Sequence, residues 1–171
     1  MDQIQIDKIK DLIEYERNRK SPPISFPKLP DLPGKRYTDK EFFELEKDNL
    51  WKKTWLLAGH LDEIPERGCY KLWEKTGQPV ILVRKDKNEV AAYYNMCRHR
   101  GAAIVREEYG KTKSLLCGYH GWKYNLDGDL VGKRDPQDFI DFDDSCRSLH
   151  KIKIELLGNL IFINFDLDAI T

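Results

Sequence analysis

The chain has 171 residues, one domain's length with room for a sizeable core and an additional arm, and its 29 basic residues balance 29 acidic ones. That balance removes the positive field that would attract nucleic acid or an anionic membrane, so neither is an expected partner. Apolar residues at 40% and aromatic residues at 11% exclude a disordered chain, and no apolar run approaches the ~20 residues of a membrane-spanning helix. The first residues, Met1-Asp2-Gln3-Ile4-Gln5-Ile6-Asp7-Lys8, carry acid where a secretory signal would be basic and then apolar. A cytoplasmic address is expected, and there the four cysteines are expected as thiols or metal ligands rather than disulfides.

Residues 1–20 place Ile6, Ile9, Leu12 and Ile13 near one helical face, which predicts a short amphipathic helix. Pro22, Pro23, Pro27, Pro30 and Pro33 then forbid regular hydrogen bonding and predict an extended arm. Thr38-Asp39-Lys40-Glu41 reads as a capping box with Thr38 as the cap. It opens a helix from about 39 to 53 whose Phe42, Phe43, Leu50 and Trp51 form an apolar stripe for core packing. From Cys69 onward the pattern changes to short β segments at 69–74, 79–85 and 89–94, bounded by Gly, Pro, Asp or Asn, which predicts an antiparallel sheet. Residues 151–156 alternate strictly, and Gly158-Asn159 is a two-residue hairpin signal before Leu160-Ile161-Phe162-Ile163. No internal repeat is present.

Between β segments stand Cys97-Arg98-His99 and, after 17 intervening residues, Cys117-Gly118-Tyr119-His120. The spacer holds Gly110 between Ile104-Val105 and Leu115-Leu116, which predicts strand, turn and strand with the two loops facing each other at one end of the sheet. Each loop offers one Cys and one His, whereas a zinc ribbon typically takes two Cys from a single knuckle. A mixed pair suits two metal atoms. In a Rieske 2Fe-2S centre one iron takes both thiolates and the other both imidazoles, which assigns Cys97 and Cys117 to the first iron and His99 and His120 to the second. Neutral imidazoles in place of thiolates lift the potential above that of an all-Cys ferredoxin, from ~-400 mV into the ~-150 to +300 mV range. Gly101, Gly118 and Gly121 would let the finger backbones approach the cluster and aim N–H groups at its sulfurs.

At these residues the sequence resembles the N-terminal Rieske domain of the alpha subunit of Rieske non-heme iron oxygenases, the ring-hydroxylating type. Asn95-Met96-Cys97-Arg98-His99-Arg100-Gly101-Ala102 is similar to that family's first finger, and Cys117-Gly118-Tyr119-His120-Gly121-Trp122-Lys123-Tyr124 to its second. Residues 42–55, Gly68, the segment 80–84, Asp127-Gly128-Asp129-Leu130 and 149–166 also match, so the resemblance covers about residues 36–168. Respiratory Rieske proteins fit less well: they carry a disulfide-forming Cys in each finger, and this chain has Ala102 and Tyr119 there. Trp122 stands where those proteins have a serine that donates to the cluster; losing that donor implies a potential toward the low end of the Rieske range. Tyr124 can keep one hydroxyl donor.

The resemblance implies a mostly β fold: a Rieske (ISP-like) antiparallel sheet domain with a cluster-binding two-loop subdomain, preceded by N-terminal helices. It divides the chain into a helix and Pro-rich arm at 1–35 and a Rieske domain at 36–171, with cluster-binding fingers at 95–102 and 115–124. It implies a ferredoxin or flavin reductase as electron donor, a 2Fe-2S cluster, and a homotrimer for the full-length protein. It also implies onward transfer to a mononuclear Fe(II) for O2-dependent hydroxylation or demethylation. That iron needs two His and a carboxylate. Once His99 and His120 are assigned only His60 and His150 remain, far apart in sequence, so the C-terminal catalytic domain is expected to be absent from this chain. Around the ligands, Arg100, Gly101, Gly118, Tyr119, Gly121, Trp122 and Tyr124 are the expected supporting residues, Trp122 either capping the core or shielding the cluster beside His120. Cys69 and Cys146 read as small buried or half-buried thiols, His60 as a residue at a helix exit and His150 as one opening a strand. Arg98, Arg100, Lys111, Lys113 and Lys123 form either a solvated surface or a basic rim that steers an acidic electron donor. Two other readings stay open: a stand-alone Rieske ferredoxin, and a structural Cys2His2 zinc module.

Overall fold

The computed structural model describes residues 2–23, 27, 30–139 and 143–170. The chain forms two compact units, Met1–Thr38 and Asp39–Thr171. In the first, helix α1 (Gln3–Asn18) starts where the Asp2 carboxylate accepts from the Gln5 N–H at 2.8 Å. Its expected apolar face is present, but none of its residues is buried: Ile9, Leu12 and Ile13 are all exposed. The proline-rich arm falls partly outside the described residues, and the chain then makes a 3-10 turn at Gly34–Tyr37.

The second unit opens with α2 (Lys40–Glu46), capped by Asp39 rather than Thr38: the Asp39 carboxylate reaches the N–H groups of Glu41 and Phe42 at 2.9 and 3.2 Å. The regular helix is shorter than the expected 39–53, because it widens into a π turn over Lys47–Trp51. Its apolar stripe is core only in part: Trp51 packs against the cluster that contains Leu56, Trp73 and Val80. Phe43 and Leu50 are exposed, and Phe42 and Trp51 are half-buried.

Ten short strands follow among the described residues, in a mostly antiparallel β architecture of the expected class. They are β1 (Leu56–His60), β2 (Cys69–Trp73), β3 (Val80–Asp86), β4 (Glu89–Tyr94), β5 (Tyr109–Lys111), β6 (Leu115–Leu116), β7 (Lys123–Tyr124), β8 (Leu130–Gly132), β9 (Lys151–Leu157) and β10 (Leu160–Asn164). A seven-stranded sheet runs β1-β10-β9-β4-β3-β2-β5 and a three-stranded one β6-β7-β8. The apolar run Val80–Val83 is explained by β3 being central and covered on both faces. Ile81 and Val83 pack into one core with Tyr93, Leu115, Trp122 and Tyr124; Val80 and Leu82 pack into another with Trp73, Ile152, Ile161 and Ile163. Each such side chain removed from water contributes about 1.5–3 kcal/mol, so the two cores hold the sheet from both sides. In the β9–β10 hairpin Leu157 faces Leu160, and Gly158 turns the chain at φ +60°.

Two expectations fail here. His60 does not leave a helix; it ends β1, which pairs with β10 from Leu56↔Ile163 to His60↔Leu160. The burial of β1 follows a period of two only at Leu56, Leu57 and Ala58 before a bulge, too brief a signal to read from sequence. Gly110 is not the turn of the spacer either. It lies inside β5 opposite Tyr70, where an added Cβ would stand 2.4 Å from the Tyr70 hydroxyl oxygen, and so it lets that ring cross the sheet edge. The loop tying finger to sheet is closed instead by Asn95, a buried residue whose amide oxygen accepts from the N–H groups of Ile104 and Val105 (2.8 and 3.0 Å). Its NH2 donates to the Val105 carbonyl at 2.8 Å.

Candidate metal centre

The first finger leaves β4 and the second joins β6 to β7, so both rise from strands that share one core. Their backbones close in the same way. The Cys97 N–H donates to the Ala102 carbonyl at 2.8 Å and the Gly101 N–H returns to the Cys97 carbonyl at 2.9 Å. The Cys117 N–H donates to the Trp122 carbonyl at 2.8 Å and the Gly121 N–H to the Cys117 carbonyl at 3.0 Å. Each loop needs a glycine four residues after its cysteine, because the chain reverses there at φ +75° (Gly101) and +71° (Gly121), a region costly for other residues. Gly118 takes no such conformation, and a Cβ there would meet no protein atom within 4 Å.

The loops bring like with like. Cys97 and Cys117 are each only 2% exposed and both belong to the core that joins the fingers to the sheet. Burial pushes the Cys97 thiol up, a hydrogen bond with the Tyr124 hydroxyl and the His99 N–H pull it down, and the neighbouring Cys117 thiol pushes it up again; the net direction is up. His99 and His120 face each other edge to face with ring centroids 4.6 Å apart. Among the described residues no three His, Cys, Asp or Glu side chains converge on one point as a single ion requires. The four candidate groups sort into two pairs. His99 Nδ1 is buried without a hydrogen-bond partner, the state of an imidazole nitrogen held ready for a metal, and the imidazole is kept neutral by burial first and by His120 and Arg100 second. Two soft buried thiols beside two facing imidazoles fit a [2Fe-2S] cluster with mixed ligation.

Around the pairs, Trp122 is 2% exposed and stacks on His99, not His120, with centroids 4.8 Å apart and planes within 10°. It therefore caps the core and covers an imidazole at once. Tyr119 is exposed and its ring lies 3.8 Å from that of His120. The fully buried Tyr124 has its hydroxyl 3.3 Å from Cys97 Sγ and accepts from the Arg98 N–H at 3.0 Å; burial and the Cys97 contact both raise its pKa. Phe139, which no sequence pattern singles out, sets its ring edge to face against both His99 (6.1 Å) and Trp122 (5.8 Å). A cavity of about 460 Å³ opens beside the two imidazoles, walled also by Arg100, Asp135 and Asp138.

The remaining expectations resolve unevenly. Arg98 does not point out from a basic rim: its guanidinium bonds His150 and the Cys146 carbonyl. Lys111 is tied to Glu66. Arg100, Lys113 and Lys123 are exposed. Cys69 is half-buried as expected, but Cys146 is exposed, its Sγ donating to Asp143 at 3.2 Å. His60 acts as a cap, its Nδ1 accepting from the Asp62 N–H while Glu63 accepts from the His60 N–H. No described helix is long and apolar enough to cross a membrane.

A curled antiparallel sheet carrying two facing loops defines the architectural class of the Rieske iron–sulfur domains. The family model of the Rieske [2Fe-2S] domain matches residues 54–143, and the chain belongs to this family, whose cofactor is a [2Fe-2S] cluster. Among curated relatives, the carnitine monooxygenase oxygenase subunit of Escherichia coli K12 is 34% identical over 139 residues, covering 81% of this chain and 37% of the relative. The benzene 1,2-dioxygenase subunit alpha of Pseudomonas putida is 36% identical over 135 residues, covering 78% and 30%. The solved quaternary ammonium Rieske monooxygenase CntA in complex with L-carnitine superposes with a TM-score of 0.77 at 28% identity, over 85% of this chain and 45% of that one. Naphthalene 1,2-dioxygenase from a Rhodococcus species bound to indole gives 0.73 at 31% identity, over 78% and 31%. These relatives are oxygenase subunits, and the chain spans about a third of the length of the curated ones.

Proposed function

We propose that this chain is the electron-transfer part of a Rieske oxygenase alpha subunit, with Cys97 and Cys117 holding one iron and His99 and His120 the other. The observation that carries the assignment is the pairing of thiol with thiol and imidazole with imidazole on two loops of identical backbone closure. When bound, the cluster supplies reversible one-electron chemistry. The chain's own residues bury the thiolates, favour the neutral form of His99 and cover that imidazole with Trp122 and Phe139. A reductase or ferredoxin is the electron donor in this reading. The acceptor is a mononuclear iron in a catalytic domain that activates O2 for hydroxylation or demethylation, within a homotrimer in the cytoplasm. Exposed Arg100, Lys113 and Lys123 suit an acidic donor.

The test is metal, acid-labile sulfide and electron paramagnetic resonance on the anaerobically purified, dithionite-reduced protein. Two irons and two sulfides per chain with a rhombic signal are expected for a cluster with mixed nitrogen and sulfur ligands. One zinc and no sulfide would replace this reading with a structural zinc module.

A further inference from the structure

We propose that His150 and the Arg98 side chain are positioning residues that aim the Tyr124 hydroxyl at the Cys97 sulfur, linking the mouth of β9 to the strength of one hydrogen bond on the cluster. The inference rests on the reading of Cys97 as a ligand.

Arg98 lies between two proposed ligands, yet its side chain turns away from the finger tip. One guanidinium nitrogen bonds His150 Nε2 and another donates to the Cys146 carbonyl at 3.4 Å, while Nε is buried with no hydrogen-bond partner. A guanidinium only donates, so His150 Nε2 accepts and the ring proton sits on Nδ1. Neither partner is a carboxylate. The contact therefore fixes position rather than neutralising charge.

The far end of this tether is anchored in the sheet. The Tyr94 N–H donates to the His150 carbonyl at 3.1 Å, the Leu149 N–H to the Gly128 carbonyl at 2.7 Å, and Lys151 pairs with Tyr93 where β9 meets β4. At the near end, the Arg98 backbone N–H donates to the Tyr124 oxygen at 3.0 Å. That bond occupies a lone pair of the phenolic oxygen and leaves its single proton for Cys97 Sγ, 3.3 Å away. Tyr124 is fully buried, so water does not compete for the proton. A donor to a ligating sulfur stabilises the reduced, more negative cluster. Releasing the Arg98 side chain loosens the peptide that orients the hydroxyl.

The experiment measures midpoint potential, iron and sulfide in the cluster-loaded protein and in His150→Ala, His150→Gln, Tyr124→Phe and the His150→Ala/Tyr124→Phe double variant. His150→Ala is expected to shift the potential downward, in the direction of Tyr124→Phe and by less. His150→Gln, whose amide oxygen can accept from Arg98, is expected to restore the parent value. The double variant is expected to match Tyr124→Phe alone, since both changes act through one hydroxyl. An unmoved potential in a fully loaded His150→Ala protein, additive shifts in the double variant, or a Gln variant that behaves as the Ala variant overturns the proposal. Should His150→Ala hold no cluster, His150→Gln decides: parent-like loading and potential support the tether, and equal loss overturns it. A parent protein without iron and sulfide would instead remove the ligand assignment, so the two failures are distinct.

Discussion

The two fingers share a backbone and differ in their tips. From Cys97 to Ala102 and from Cys117 to Trp122 the same pair of hydrogen bonds closes the loop around a left-handed glycine, yet the imidazole stands two residues after the cysteine in one and three in the other. That single-residue offset sends His99 under the buried Trp122 and His120 against the exposed Tyr119. Their supports differ as well. The first finger is clamped at its root by Asn95 and tied at its flank by Arg98, whereas the second is continuous with a short sheet through β6 and β7. Identical loop closure thus places the cysteines equivalently in the core, and the unequal tips decide what surrounds each imidazole.

The largest test of that equivalence is removal of either thiol. Cys97→Ala and Cys117→Ala are each expected to abolish iron and sulfide binding, read by metal analysis and visible absorbance; retention in one of them would show that the fingers are not equivalent. Next comes the clamp peculiar to the first finger. Asn95→Ala leaves buried groups of Ile104 and Val105 without partners and is expected to cost about 2–3 kcal/mol in urea unfolding. The shared glycines come third: Gly101→Ala and Gly121→Ala force a Cβ into left-handed backbone where it meets only ordinary contacts, Met96 Cγ at 3.9 Å and Arg134 Cβ at 3.8 Å, so each is expected to cost about 1–2 kcal/mol, by the same measure and nearly equally.

Smaller again is Tyr124→Phe, which removes the hydroxyl donor on the first finger's sulfur. It is expected to lower the midpoint potential by roughly 40 mV, the equivalent of about 1 kcal/mol for one electron, with the fold unchanged. The smallest effect lies in the 3-10 turn Leu61–Glu63 beside the sheet, away from both fingers. Burial works to raise the Glu63 carboxyl, but Lys71, the His60 N–H and Tyr109 outweigh it and hold it below the usual range. A depressed carboxyl stabilises the fold above its unfolded pKa of about 4.3 and loses that contribution as pH falls through the folded value. Glu63→Gln is therefore expected to be less stable than the parent by under about 1 kcal/mol at pH 7 and level with it near pH 3, followed by urea unfolding.

Much of this architecture was legible from local pattern. The strands at 69–74, 79–85 and 89–94, the 158–159 turn and the helix of residues 1–20 emerge close to where period and turn chemistry place them. The helix cap was misplaced by one residue because Thr38 and Asp39 are both competent caps, and only the backbone geometry selects the carboxylate. β1 escaped notice because its pattern is interrupted by a bulge, and its place in the sheet is set by a strand about a hundred residues later. Gly110 looked like a turn because a glycine's need for space under a distant ring has the same appearance in sequence as a need for a positive φ.

By itself, then, the sequence determined which atoms are available: two Cys–His pairs at loop spacing, glycines four residues after each cysteine, and alternating strands to carry them. These are properties of neighbours along the chain, fixed by backbone stereochemistry. The tertiary structure alone decided that Trp122 covers His99 rather than His120, that Phe139 joins them, and that Arg98 reaches His150, 52 residues away, instead of solvent. Such contacts arise from packing between segments remote in sequence, where no periodicity records which side chain will meet which.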